Sequence, residues 1–239
     1  MYLVIFDCDG TLVDSQDTIL RGLAAGFAAV GLPAPDRERG LSIVGLSLEV
    51  AFRRLIPQEQ ADLVPAMADA YRRTQVSRRE AGLDNDPLYP GARAALDALS
   101  ARDDVLLGIA TGKALRGVRH LQKVHGLEGR FVTIQTADSA PSKPNPAMIE
   151  QAMAETGVDP AKTVMVGDTT YDLDMARAAG VAAIGVTWGY HDRVRLTTSR
   201  PFRLIDGFDQ LLPAISDLFG WERSLSHALP DAPDAAAAT

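Results

Sequence analysis

The sequence predicts an α/β fold, a Rossmann-like doubly wound parallel sheet carrying an inserted α-helical domain. Three observations predict it. The chain opens on a short apolar, β-rich run, Tyr2 to Phe6, that stops at Asp7-Cys8-Asp9-Gly10. Residues 15–86 then read as helix. From Gly91 strand and helix patterns alternate, which is the mark of parallel strands joined by helical crossovers.

Each element has its own warrant. An unbroken apolar run such as Tyr2 to Phe6 fits a strand buried on both faces. Leu20, Leu23, Ala24 and Phe27 share one helical face; Leu48, Ala51, Phe52 and Leu55 share a second; Leu63, Met67, Ala70 and Tyr71 share a third. Gly31-Leu32-Pro33 and Pro57 separate them. The turn-rich stretch 82–90 reads as a linker or hinge. Ala92, Ala95, Leu96 and Leu99 mark the next helix. Strands are then expected at 105–110, 131–134, 163–166 and 182–186, with helices at 115–124, after Pro146 and at 171–179. Residues 228–239 are rich in Ala, Pro and Asp and have little to bury, so a frayed tail is expected. The expected division is a sheet domain from 1–14 and 87–220, a helical domain from 15–86, and a C-terminal tail from 221–239, partly disordered.

Composition limits the class. With 239 residues, 46% of them hydrophobic and 23% charged, a packed core is feasible. Cys8 is the single cysteine, which excludes an intrachain disulfide. The net charge of −7 repels phosphate backbones and argues against general nucleic-acid binding. A local pocket can still oppose that field and hold a small anion. No apolar run reaches the length of a membrane span, and the N-terminus carries no basic leader. The expected location is the cytoplasm.

A helical insertion directly after the first strand sits above the carboxyl edge of the sheet, where ligands of open α/β sheets bind. Four polar clusters fall on that edge: Asp7 to Asp14; Thr111-Gly112-Lys113; Ser142-Lys143-Pro144-Asn145-Pro146; and Gly167-Asp168-Thr169-Thr170-Tyr171-Asp172. Aspartates gathered at strand ends suit a hard cation with oxygen ligands, of which Mg2+ is the usual one. A carboxylate can attack phosphorus and form an aspartyl-phosphate. Lys143 offers a point charge, and Thr111 a hydroxyl beside the backbone N–H groups of its neighbours, to a transferring phosphoryl group.

Asp7-x-Asp9-Gly10-Thr11-Leu12-Val13-Asp14-Ser15, a strand ending in Thr111, Lys143-Pro144 and Gly167-Asp168-x-x-x-Asp172 together resemble the haloacid dehalogenase (HAD) superfamily of phosphohydrolases. The resemblance runs to about Leu218 and contains all four signature motifs in order. The helical insertion resembles the α-helical cap of that superfamily. The run Val186-Thr187-Trp188-Gly189-Tyr190-His191 is similar to the phosphoglycolate phosphatase branch.

The resemblance implies roles. Asp7 would be the nucleophile, and Asp9 the acid on the leaving oxygen and then the base on the attacking water. Thr111 would hold phosphoryl oxygens and Lys143 would neutralise nucleophile and phosphate. Asp7, the Asp9 carbonyl and Asp168 would hold Mg2+, with Asp172 supporting the metal shell. Gly45, ahead of a cap helix, and Gly112 are the candidate substrate contacts, and Arg21, Arg53 and Arg54 are read mainly as a solvated face. Gly108-x-x-x-Gly112-Lys113-Ala114 lacks a spacer and the terminal hydroxyl of a P-loop, so Lys113 is expected at the surface. Cys8 reads as a small buried side chain, and the four histidines show no ligand spacing.

The sequence also separates reactions. Acid Asp9 favours phosphoryl transfer over dehalogenation. Residues 16–88 contain neither lysine nor histidine. That excludes a Schiff-base phosphonate cleavage, which needs a cap lysine, and counts against the sugar-phosphate mutase branch. The expected function is hydrolysis of a small phosphate monoester, 2-phosphoglycolate foremost. A pyrophosphatase, a nucleotide or sugar phosphatase, and a non-catalytic phospholigand-binding module are the alternatives. The expected partner is a small-molecule phosphate ester, with neither nucleic acid nor membrane, on a monomer or homodimer.

Overall fold

A computed structural model describes residues 1–83 and 86–221; the expected tail beyond Trp221 lies outside the described residues. Six parallel strands form one sheet in the order β3-β2-β1-β4-β5-β6. They are β1 (Tyr2–Phe6), β2 (Val105–Thr111), β3 (Thr133–Thr136), β4 (Thr163–Gly167), β5 (Ala182–Val186) and β6 (Arg203–Ile205). The chain winds from β1 toward β3, then crosses back to β4 and beyond. The strand order therefore reverses between β1 and β4, the crevice where such sheets place their ligands.

β1 is central, and its residues are buried alternately on opposite faces. Val4 and Phe6 meet Leu96, Leu99 and Ile215 on one side, while Leu3 and Ile5 meet Ile149, Met165 and Leu173 on the other. Full burial of each such side chain stabilises the fold by roughly 1.5–3 kcal/mol. Helices cover both faces: α5 (Ala92–Ser100), α6 (Leu115–His125), α7 (Ala147–Thr156), α8 (Thr170–Ala178), α9 (Arg193–Thr198) and α10 (Leu211–Phe219), numbered after four helices described next.

Those four are α1 (Gln16–Ala29), α2 (Arg37–Leu41), α3 (Leu48–Leu55) and α4 (Val64–Glu80), inserted between β1 and α5. They bury a separate apolar cluster in which Leu23, Phe27, Phe52, Val64 and Met67 meet, and which Tyr171 of α8 joins from below. The inward face of α1 is rotated slightly from the expected one. Ala24 is exposed, and Ile19, Gly22 and Gly26 lie inward with Leu23 and Phe27. Alanine carries too little apolar surface to fix the helix rotation against longer neighbours.

The two chain crossings lie side by side. Val13 bridges Leu88 in antiparallel fashion. Asp14 donates its N–H to the Pro87 carbonyl at 2.9 Å and Tyr89 donates to the Leu12 carbonyl at 3.0 Å. The expected linker 82–90 is thus a paired connection where it reaches Leu88. Strand limits shift slightly: β3 begins at Thr133 rather than at 131, and Val132 instead donates to the Leu107 carbonyl at 2.9 Å, one step before the ladder begins.

Candidate active site

Asp7 directly follows β1 and is wholly buried. Its N–H donates to the Val166 carbonyl at 3.0 Å, which continues the parallel pairing by one residue and fixes where the side chain emerges. The chain then turns back tightly. The Cys8 carbonyl accepts from the N–H groups of Leu12 and Val13 at 2.9 and 3.0 Å, and Gly10 donates to the Val13 carbonyl at 2.9 Å. This loop carries Asp9 away from the sheet and returns Thr11 toward β4.

Asp168 and Asp172 arrive from β4 and α8. Asp168 accepts from the Thr11 hydroxyl at 2.8 Å and from the Tyr190 N–H at 2.8 Å. Asp172 stands in the first turn of α8, where an acid favours the helix dipole. One of its oxygens accepts from the Thr169 hydroxyl at 2.7 Å and its N–H at 3.1 Å. The other accepts from Lys143 Nζ at 2.6 Å. Lys143 also lies 3.0 Å from Asp7 Oδ1.

Oxygens of Asp7, Asp168 and Asp172 lie within 4.8 Å of one another, all buried. Neither Asp7 oxygen has a hydrogen-bond partner of good geometry. One lysine cannot balance three buried carboxylates, and the proton inventory reflects it. Burial raises Asp7 to about 7, with Asp172 and Asp9 adding to the rise and Lys143 opposing it. Burial, Asp172 and Asp7 also hold Asp168 well above the usual carboxylate range. Burial pulls Lys143 down, but Asp172 and Asp7 outweigh it, so its pKa lies above the ordinary lysine value. A hard divalent cation with oxygen ligands fits this excess of buried anionic oxygens. The Asp9 carboxylate stands outside the cluster.

Thr111 ends β2, buried, and its hydroxyl accepts from the Lys113 N–H at 3.3 Å. Gly112 follows where the helical segment comes down onto the sheet edge. A Cβ at position 112 would lie 2.6 Å from the Leu46 carbonyl oxygen and 2.7 Å from that of Gly45, so only glycine admits this approach. Ser47 donates its N–H to the Ser142 hydroxyl at 2.8 Å beside it. A cavity of about 200 Å³ lies between the two layers, with Asp7, Asp9, Thr111 and Gly112 in its lower wall and Gly45 and Tyr71 in its upper one. All the sequence-derived candidates except Lys143, Asp168 and Asp172 line this cavity, and those three meet Asp7 from beneath.

One expectation changes. Lys113 is not a surface residue. Its side chain is 21% exposed and its Nζ lies 2.7 Å from Asp9 Oδ1. Arg21, Arg53 and Arg54 are exposed, as expected of a solvated face, and do not line the cavity; Arg54 donates to the Tyr171 hydroxyl at 2.9 Å. Sequence reasoning missed Thr11 and Tyr190 as the donors that orient Asp168, although both lie inside runs it singled out. His191 is buried and bridges the layers. Its Nδ1 accepts from the Thr170 N–H at 2.9 Å and its Nε2 faces the Ser42 carbonyl at 3.2 Å. Burial, then Arg195, lowers it to about 4, which keeps it neutral at physiological pH. Cys8 is buried as expected, and burial beside Asp7 and Asp9 pushes its thiol far up, away from reactivity.

Comparison with known proteins shows the family. The model of the haloacid dehalogenase-like hydrolase family matches residues 4–186. The chain therefore belongs to that family. It is 38% identical over 215 residues to a probable phosphatase, IndB, of Dickeya dadantii, covering 89% of this chain and 92% of the relative. It is 33% identical over 216 residues to a phosphoglycolate phosphatase of Agrobacterium fabrum, covering 89% and 91%. A solved structure described as a predicted phosphoglycolate phosphatase from Haemophilus somnus aligns with a TM-score of 0.78 at 26% identity, covering 89% of this chain and 97% of that one. The protein is an enzyme, a phosphatase of the family that acts on a small phosphate ester, and it is phosphoglycolate phosphatase-like. Among the described residues no helix is long and apolar enough to cross a membrane.

Proposed function

We propose that the protein is a Mg2+-dependent phosphomonoesterase that works through an aspartyl-phosphate on Asp7, with 2-phosphoglycolate as its substrate. The observation that carries this reading is Asp7 itself. It is a wholly buried carboxylate at the sheet's switch point, with both oxygens lacking a hydrogen bond and a lysine 3.0 Å away. A buried carboxylate whose oxygens are not tied up in hydrogen bonds, with a cation beside it, is available as a nucleophile. The name of the substrate rests on the relatives.

Asp7 attacks phosphorus, the ester P–O bond breaks, and its electron pair leaves with the alcohol oxygen, which takes a proton from Asp9. Water then attacks the phosphorus of the acyl phosphate and gives its proton to Asp9. The Asp7 oxygen is thereby freed and phosphate departs. Lys143 and the Thr111 hydroxyl stabilise the charge that develops on the phosphoryl oxygens. Asp7, Asp168, Asp172 and the Asp9 carbonyl would hold Mg2+, which would supply further neutralisation of that charge. Residues 15–86 act as the cap over 1–14 and 87–220. The paired crossings at Val13 and Leu88 serve as the hinge, and closure excludes water from the acyl phosphate.

Phosphate release from 2-phosphoglycolate, nucleotides, sugar phosphates and pyrophosphate, with Mg2+ and with chelator, tests the reading. Metal-dependent preference for 2-phosphoglycolate supports it. Preference for another ester discards the substrate and keeps the chemistry. Binding without release replaces hydrolysis with a phospholigand-binding role.

The acid cluster also predicts a pH effect. Burial holds the Asp7 carboxyl up at about 7 in the folded protein, against an ordinary value of 3.8. Between those values the folded protein holds the extra proton, so metal-free stability falls as pH rises from about 4 to about 7. Mg2+ held by the same carboxylates would take the place of that proton. Millimolar Mg2+ is expected to raise Tm more at pH 8 than at pH 5, measured by thermal melts. An equal shift at both pH values would place the metal elsewhere.

A further inference from the structure

Lys113 stands out among the residues the mechanism leaves unused. It sits in the loop from β2 to α6, two residues beyond Thr111. Its ammonium lies 2.7 Å from Oδ1 of Asp9, the residue assigned to the leaving group. Its stem runs along the first turn of α6, where a Cβ at Gly117 would meet Lys113 Cγ at 2.9 Å and Cδ at 3.1 Å. The course of the side chain is therefore built into the fold. It lines the same cavity as Asp7, Asp9 and Thr111.

The charge is secure. Burial pulls the lysine down, but the charge and hydrogen bond of Asp9 outweigh it. Across the cavity, burial pushes the Tyr71 hydroxyl up to about 12 while the Lys113 charge opposes the rise, so the tyrosine stays neutral. Arg72, a cation on the cap side of the same cavity, is paired with Glu49.

A ligand that places its bridging atom beside Asp9 brings the rest of the leaving group alongside Lys113. That ammonium, partly desolvated, favours an anion one hydrogen bond beyond the bridging atom. In a phosphorylated α-hydroxy acid, the carboxyl carbon is two bonds from that atom and within such reach. We propose that Lys113 determines specificity by binding a carboxylate on the leaving group, so that the site selects small phosphate esters of hydroxy acids. This rests on the phosphatase reading above and assigns the second half of the substrate to a named residue.

Two pairs of probes test it. Ethyl phosphate has the two-carbon chain of 2-phosphoglycolate without its carboxylate. The phosphonates 3-phosphonopropionate and propylphosphonate, used as inhibitors of p-nitrophenyl phosphate hydrolysis, differ likewise and need no turnover. The wild type is expected to prefer the carboxylate member of each pair by at least about tenfold, the usual reach of a charge-assisted hydrogen bond. Lys113→Met is expected to bring both preferences to within about threefold, and Lys113→Arg to retain part of them. Preferences that survive in Lys113→Met overturn the proposal. So does an equal loss on both esters, which would mean that Lys113 acts on the chemistry through Asp9. If the wild type hydrolyses other phosphates but not 2-phosphoglycolate, the substrate reading fails by itself. The phosphonate pair then decides: a Lys113-dependent preference supports the proposal, and its absence overturns it.

Discussion

Asp7→Asn is expected to abolish turnover, by at least about 10⁴-fold, in a protein that folds as well as the parent. An amide is nearly isosteric with the carboxylate but is not a nucleophile toward phosphorus. The stability side of this result follows from the same site. Asp7 is wholly buried, and in metal-free protein it adds a carboxylate to a cluster that already holds Asp168 and Asp172. Replacing it with a neutral group removes like-charge repulsion and the cost of burying the charge. Metal-free Asp7→Asn should therefore melt at or above the parent temperature at neutral pH. Retained turnover would remove Asp7 as nucleophile. A strongly lowered Tm would mean that the charge on Asp7 holds the fold together.

Lys143→Met is expected to cost both stability and activity. The lysine is fully buried between Asp172 at 2.6 Å and Asp7 at 3.0 Å. Methionine fills most of the stem volume but leaves those carboxylates without their cation. Removing one member of a buried ion pair typically costs about 3–5 kcal/mol. In a chain of this size that corresponds to roughly 10 °C in Tm. Turnover should fall by about 10³-fold or more, because the same ammonium stabilises nucleophile and transferring phosphoryl group. Adding Asp172→Asn should recover part of the stability and none of the activity. That second variant separates charge from packing: if the loss came from a poor fit of methionine, removing a carboxylate would restore nothing. A parent-like Tm in Lys143→Met would contradict the ion-pair account.

Much of this site was legible because its residues follow strand ends in short, strongly typed motifs. Asp7 is placed by the last rung of β1, and Asp168 by the end of β4. Both ends are marked in the sequence by the change from apolar run to acid and glycine. Lys113 was misread because its neighbours failed a P-loop spacing test, and a rejected motif says nothing about which partner the lysine finds. Asp9 lies 104 positions away in the chain, and only the parallel pairing of β1 with β2 brings the two loops together. The helical face of α1 was blurred for a related reason. Its inward glycines meet α4 and α3, where Gly22 approaches Tyr71 and Gly26 approaches Phe52, and hydrophobic periodicity gives glycine no weight. β6, three residues at the sheet edge, is too short to show alternation. The helices α2 and α9, of five and six residues, escape a window built on two turns.

The central claim is that the phosphoryl group passes through Asp7. Enzyme mixed with substrate and quenched in acid during turnover can be reduced with borohydride, which converts an acyl phosphate to an alcohol. Peptide mass spectrometry is expected to find homoserine at position 7, dependent on substrate and absent in Asp7→Asn. Phosphate released at full rate with position 7 unmodified, or reduction at another residue, would contradict the account.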